Sequence, residues 1–434
     1  MLSPLELTQR LIQFDTTNPP GNEIQCIEFI DDLLTEAGFE TVLLARDEQR
    51  PNLIARLKGR GEAPPLLFQG HVDVVTTEGQ GWSVSPFQGV IKDGFLWGRG
   101  TLDMKGAVAM MVSAVIQAKL QGVEPAGDII LCVLADEENS GNYGAKFLVE
   151  EHSEQFEGVK YAIGEFGGTN IQMAGETFYP IQIAEKRSLK LTAKLRGQAG
   201  HGSGIHRNTA MGRTGRLLDQ LDRIEMPLHI VPAVREMLGA IADNLEFPAG
   251  FLIKRLLNPA TAKTALKVMG DRAATIEPLL KHTVNATIIN GGIKRNVIPS
   301  EIGIEFDVRM LPGFTPEEFL ADLKGQLDTD AEFVIEGVDP IMPAEPDMGL
   351  FPLLSELIVE KQPGGIVIPF VLPAVTDARF FASLGIQTYG FTPMVLPKNL
   401  DIGTLVHGPD ERIPVDAPEY GAAMMLELIK RYSG

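Results

Sequence analysis

Cysteine is almost absent from this chain: 434 residues contain only Cys26 and Cys132. Two thiols cannot build a disulfide framework. One falls in a helical pattern and the other in an apolar strand, so both read as core thiols of a protein in a reducing cytoplasm. Basic residues are scarce relative to acidic ones, 38 against 57, for a net charge of −19. That balance argues against nucleic acid and anionic membranes as partners. No apolar run reaches the length of a membrane span. The stretch after Met1 lacks the basic start and apolar core of a secretory signal, and no repeat or low-complexity segment is present. What remains is an ordinary folded composition, 44% apolar and 22% charged. The length exceeds one hydrophobic core and predicts two domains.

Periodicity divides the chain. Pro4 to Phe14, Glu23 to Ala37, Met104 to Gln121 and Tyr143 to Glu151 carry helical spacing. Asn52 to Leu57, Pro65 to Gln69, Asp128 to Ala135 and Val159 to Gly164 read as strands. This is the rhythm of an α/β sheet covered by helices. Near Ser188 the pattern becomes βα–ββ–αβ. Strands are expected at Leu189 to Arg196, Thr283 to Ile289, Glu301 to Met310 and Glu332 to Glu336, and helices at Thr209 to Ile224 and Pro316 to Leu327. About sixty mostly helical residues, roughly 225–281, interrupt it. After Pro340 the α/β pattern returns through Leu350 to Glu360 and a strand near Ile366 to Phe370, and ends in a helix from Ala417 to Tyr432.

Metal-binding residue types are strung along this frame. His71 follows a strand, where open α/β sheets place ligands, with Asp73 two residues on. Asp103 stands in Gly98-Arg99-Gly100-Thr101-Leu102-Asp103-Met104-Lys105-Gly106, Glu137 and Glu138 follow an apolar strand, and Glu165 is flanked by glycine. His407 opens His407-Gly408-Pro409-Asp410-Glu411. Each has a commonplace reading: Asp103 as a helix cap, the acids as a solvated loop, the histidines as surface or core groups. As a set, two imidazoles and three carboxylates suit two divalent ions of zinc type, with a fourth carboxylate left to act as a base.

The order of these segments resembles the M20 family of metallopeptidases and amidohydrolases. The further matching motifs are Gly200-His201-Gly202-Ser203, Asn296-Val297-Ile298-Pro299, Asp307-Val308-Arg309 and Thr376-Asp377-Ala378-Arg379. Glu165-Phe166-Gly167-Gly168 departs from the more usual acid-Pro pattern and looks closer to the aminoacylase and carboxypeptidase S branches.

The resemblance implies an α/β fold: a mixed-sheet, zinc-exopeptidase-like catalytic domain, residues 1–187 and 341–434. An α+β, ferredoxin-like lid and dimerisation domain, residues 188–340, is inserted into it. It implies His71, Asp103 and Glu165 on one zinc, and Asp103, Glu138 and His407 on the other, with cobalt or manganese able to substitute. Asp73 would orient His71, the Asp103–Met104 peptide bond would be cis, and Glu137 would be the general base. His201 would donate to the oxyanion, from the partner subunit in dimeric members. Arg309 would bind the substrate carboxylate, with Asn296 and Arg187 as weaker candidates. The expected activity is metal-assisted hydrolysis of an amide beside a free α-carboxylate, in a small peptide or an N-acyl amino acid, by a homodimer. The apolar stretch Ile366 to Pro373, read as a loop, tips this slightly toward hydrophobic substrates. The alternatives are a biosynthetic deacylase acting on acetylornithine or succinyl-diaminopimelate, and a non-catalytic binding protein on the same fold.

Overall fold

The computed structural model describes residues 2–434. They form two compact units, one of Met1–Ile183, Pro346–Phe370 and Thr376–Gly434, the other of Ala184–Glu345 and Val371–Val375.

The first unit is built on a mixed sheet. Strand Leu66–His71 lies between Ile129–Leu134 and Tyr161–Gly164, parallel to both, and Gln387–Gly390 extends the parallel part. Asn52–Leu57 and Thr41–Leu44 complete one side in antiparallel order. Every residue of Leu66–His71 and Ile129–Leu134 is buried, as continuous apolar strands covered on both faces must be. Helix Lys105–Leu120 is buried nearly all round and packs against the last helix, Ala417–Arg431. Cys26 and Cys132 are buried and unpaired.

Strand Glu176–Glu185 escaped the pattern reading because Pro180 interrupts it and its buried positions do not alternate. Short strands such as Val90–Lys92, Phe95–Trp97 and Arg412–Pro414 hold too few residues to show a period. The strand expected near Ile366 to Phe370 is present as Ile366–Leu372, so the hydrophobicity of this stretch serves the sheet rather than an apolar loop.

The second unit carries an antiparallel sheet in the order Thr283–Asn290, Glu301–Met310, Arg187–Arg196, Glu332–Val338. With helices Ala210–Leu221 and Pro316–Gln326 it has the expected split βαββαβ connectivity. Thr315 and Glu318 form a reciprocal capping box that starts the second helix. Leu189, Leu191, Leu195, Phe306, Phe319 and Leu323 meet in its core. The interrupting segment holds four helices, Pro232–Asp243, Ala249–Leu256, Pro259–Met269 and Ala273–Leu280. Its two ends are tied by a hydrogen bond from His229 N–H to the Leu280 carbonyl, 2.8 Å.

Candidate metal centre

Three strand ends of the first unit (His71, Glu138, Glu165), the turn before helix Lys105–Leu120 (Asp103) and the loop after Ile402–Leu405 (His407) bring the five ligand-type residues together in two groups that share Asp103. His71, Asp103 and Glu165 form one; Asp103, Glu138 and His407 form the other. In each group the potential ligand atoms lie within 4.8 Å of one another. His71 Nε2 is 3.1 Å from Asp103 Oδ1 and 3.4 Å from Glu165 Oε2. His407 Nε2 is 3.1 Å from the other Asp103 oxygen and 3.2 Å from Glu138 Oε2. Asp103 thus offers one oxygen to each side. It does not cap the following helix, whose start has no side-chain cap, and the Asp103–Met104 peptide is cis.

Backbone detail fixes the flanking ligands. Glu165 precedes Phe166 and Gly167, and a Cβ on Gly167 would stand 2.0 Å from the Gly390 carbonyl. Only glycine lets the Glu165 loop close on the neighbouring strand. His407 holds a left-handed conformation, φ 61°, which a non-glycine residue keeps only where its surroundings enforce it. Gln80 Nε2 donates to its carbonyl at 2.9 Å.

Charge in the cage is uncompensated. Burial raises Glu138 to about 8, with Asp103 beside it adding to the effect. Burial also lifts Glu165 well above the carboxylate range, reinforced by Glu137 and Asp103. His407 rises to about 10 through its contacts with Asp103 and Glu138. Burial alone would lower His71, but Asp103, Asp73 and Glu165 carry it well above the ordinary value. Buried acids in such excess over cations call for added positive charge. Glu138 Oε1 is buried with no hydrogen-bond partner, a free ligand atom. The donor set therefore fits two divalent cations held by nitrogen and oxygen.

Asp73 meets His71 with both its carbonyl and its carboxylate: His71 Nδ1 lies 3.0 Å from the backbone oxygen and 3.5 Å from the carboxylate. The carboxylate also accepts the backbone N–H of Glu137 and of Glu138, both at 3.1 Å, and Asn18 Nδ2 at 2.8 Å. It shapes the turn that presents both glutamates. Asp136 stays outside the cage, paired with Arg50 at 3.0 Å. Glu137 is nearly buried beside the groups, and burial raises it against the opposing effect of His71 and Arg379.

Sequence reasoning quoted Glu411 and Arg379 only as parts of motifs. Glu411 accepts the N–H of Gly100, Leu102 and Asp103 and so holds the turn that carries Asp103. The available signal was the count of acids in the His407 motif, which exceeded what two ions need.

The remaining predicted residues belong to the second unit. Gly200–His201 pairs with Val297–Ile298, and Gly202 N–H donates to the Asn296 carbonyl at 2.9 Å, so His201 and Asn296 are neighbours on one exposed ladder. His201 Nδ1 is engaged by Ser203, 2.8 Å from its hydroxyl oxygen and 3.3 Å from its backbone nitrogen, so Nε2 is the ring nitrogen left to face a ligand. Arg309 is bound to Asp307 at 2.8 Å. Arg187 is buried and donates to the carbonyls of Phe314 and Asp339, both at 2.6 Å, so it braces two loops of its own unit.

A third grouping, His229, His282 and Asp322, has a different character. Leu311 N–H donates to His282 Nδ1 at 3.0 Å, so the neutral ring carries its hydrogen on Nε2, 3.7 Å from Asp322 Oδ2. A protonated nitrogen has no lone pair for a cation. His229 Nε2 lies 2.6 Å from the same oxygen, and both rings pack on Phe314. The cluster is a hasp at the two ends of the helical segment.

A mixed α/β fold that gathers two histidines and three carboxylates from strand ends, a helix start and a loop, with a further glutamate beside them, is the framework of a metal-dependent hydrolase acting on C–N bonds. The profile of Peptidase family M20/M25/M40 matches residues 67–431, and the chain belongs to that family. It is similar to N-fatty-acyl-amino acid synthase/hydrolase PM20D1 of Homo sapiens, 29% identical over 84% of this chain and 74% of the relative. It is also similar to succinyl-diaminopimelate desuccinylase of Maricaulis maris, 28% identical over 100% of this chain and 96% of that protein. In fold it resembles the M20 family metallo-carboxypeptidase Sso-CP2 from Sulfolobus solfataricus, with a TM-score of 0.70 and 16% identity over the full length of both chains. Among the described residues, no helix is long and apolar enough to cross a membrane.

Proposed function

We propose that this protein is a dinuclear zinc hydrolase that cleaves an amide bond beside a free α-carboxylate, in N-acyl amino acids and at the C-terminal bond of small peptides. The observation that carries this reading is the pair of three-residue groups sharing Asp103, with the base-type residue Glu137 beside them. His71, Asp103 and Glu165 would hold one ion and Asp103, Glu138 and His407 the other. When bound, two such ions acidify water and polarise the scissile carbonyl. Glu137 takes the proton from water and returns it to the leaving amine. His201, with Nε2 left to face a ligand, is suited to donate to the developing oxyanion. Arg309 pairs with the substrate carboxylate, guanidinium matching carboxylate in a bidentate fashion, and Asn296 adds a polar contact.

The named substrate of the PM20D1 relative supports an apolar acyl group here. The end-to-end match with the desuccinylase favours a second reading, removal of a succinyl group from a diamino acid. The second unit acts as lid and dimerisation domain in this proposal. Its edge strand, Thr283–Asn290, exposes Ile288 and Ile289, which supports a homodimer. The two unpaired buried thiols are in keeping with a reducing cytoplasm.

The test is amine release from N-acetyl to N-palmitoyl amino acids, dipeptides and N-succinyl-diaminopimelate, using zinc-, cobalt- or manganese-loaded protein. Turnover of acyl amino acids or dipeptides supports the main reading. Preference for the succinyl compound supports the second, and no amide turnover with metal bound ends both.

A further inference from the structure

A cation stands against the proposed base, and it belongs to none of the ligand groups. Arg379 lies on the short helix Ala378–Phe381, in the Thr376-Asp377-Ala378-Arg379 segment. Its Nη1 is 3.6 Å from Glu137 Oε1. The same nitrogen donates to the Thr376 carbonyl at 2.7 Å, and the guanidinium carbon sits 4.5 Å from the centre of the Phe380 ring. The residue is 6% exposed. Its head group is thus anchored from its own turn before it meets Glu137.

We infer that Arg379 is the positioning residue of Glu137: it holds the carboxylate by charge, in the orientation needed to face the metal groups. Asp73 and Asp103 both act on Glu137 with like charge, and Asp377 adds another buried carboxylate nearby. The favourable partners are His71 and Arg379, and His71 is committed to the cage. Without Arg379 the glutamate would lose the cationic head group held beside it from outside the ligand groups.

A purely structural role explains less. Phe380 packing and the Thr376 contact would need only an apolar stem and a neutral donor. A permanently charged guanidinium is costly to bury unless it meets an anion; Asp377 and Glu137 both act on Arg379, and Glu137 is the one that faces the ligand groups. The 3.6 Å separation is too long for a good hydrogen bond but within ion-pair range, so the carboxylate is held without being clamped. A base that must take up and deliver a proton needs that freedom. Arginine stays protonated, so it directs the carboxylate and transfers no proton itself.

The inference rests on the proposed role of Glu137, and two measurements separate its failure from failure of that reading. Crystal structures of Arg379→Met and Arg379→Lys examine position without any activity. Glu137 should leave its wild-type orientation in the first and recover it in the second. On zinc-loaded protein, Arg379→Met should lower kcat about 100-fold with KM changed by less than about threefold, the cost expected of a misplaced catalytic group. Arg379→Lys should regain about tenfold of that loss, since a lysine can supply the charge without the planar fork. Metal content should stay close to wild type in both variants; Arg379→Met, which strips a buried cation from its anions, should melt lower while remaining folded, and Arg379→Lys should melt close to wild type. An unmoved Glu137 in the Arg379→Met crystal, an unchanged kcat, or a rise in KM alone would overturn the inference. So would loss of metal or of the folded state in both variants, which would make Arg379 a scaffold residue. Absence of any wild-type turnover would count against the proposed hydrolysis, while the crystal structures would still decide the position of Glu137.

Discussion

Arg99 and Glu411 form an ion pair sealed from water: Nη1 lies 2.6 Å from Oε2, and the two side chains are 1% and 0% exposed. Glu411 also gathers the backbone N–H groups of the turn that ends in Asp103. Arg99 reaches Gln80, which in turn holds the His407 carbonyl. Removing one partner of a buried pair leaves an uncompensated charge. Arg99→Met should therefore lower unfolding free energy by about 3–5 kcal/mol. Urea unfolding monitored by circular dichroism checks this. A change below about 1 kcal/mol, as exposed pairs give, would show that the pair is not the anchor of the turn.

The two ligand groups predict unequal losses of metal. Protein prepared without chelators should carry about two divalent ions per chain, as a two-metal site requires. His407→Ala should retain about one, because only the group with Glu138 is broken. Asp103→Asn should affect both ions, since each group uses one of its oxygens. Metal stoichiometry by mass spectrometry measures all three. Equal losses in the two variants would count against Asp103 as the shared ligand.

Glu137→Gln should keep both ions and the fold while lowering kcat by about 10²–10⁴-fold, the usual contribution of general acid–base catalysis. Its backbone N–H is bound by Asp73 and its side chain belongs to neither ligand group, so the substitution leaves the cage intact. Retained turnover with full metal content would remove Glu137 from the chemistry.

The ligand-type residues were legible because strand ends and glycine-flanked turns leave a mark in local sequence, and their order along the chain resembles a family. The supporting shell was not. Asp73 looked like a carboxylate partner for His71 because the two are two residues apart. What spacing did not show is that its carbonyl also faces the ring, and that its carboxylate further accepts backbone groups more than sixty residues away. Arg379 and Glu137 are 242 positions apart (379 − 137), and no periodicity connects them. The α/β rhythm was readable wherever strands were long and apolar. It failed at Glu176–Glu185, where Pro180 breaks the pattern while burial of the neighbouring positions on both faces preserves the strand.

His282 makes the second unit acid-sensitive. Burial lowers it to about 4, with His229 nearby adding to the effect. The unfolded ring titrates near 6.5, so below that pH the unfolded chain binds the extra proton. The stabilisation is complete above about pH 6.5, declines as pH falls toward 4, and is about 3 kcal/mol lower by then. His282→Gln cannot titrate there. The difference in unfolding free energy between wild type and this variant should shift by that amount from pH 7 to pH 4. A constant difference would mean that the folded ring is protonated normally.

The edge of the second sheet sets the last expectation. Thr283–Asn290 pairs with Glu301–Met310 on one side only, leaving a row of backbone donors and acceptors on the other. Ile288 and Ile289 are 49% and 54% exposed, with no Lys or Pro in the strand to discourage pairing. Edges of this kind in monomers are normally blunted by charge, so the proposed dimer should form here. Ile288→Lys combined with Ile289→Lys would set like charges against their own copies across a twofold axis. Light scattering should then report a monomer where the wild type is a dimer, with metal content unchanged because no ligand lies in the second unit. A double variant that remains dimeric would assign the contact to another surface.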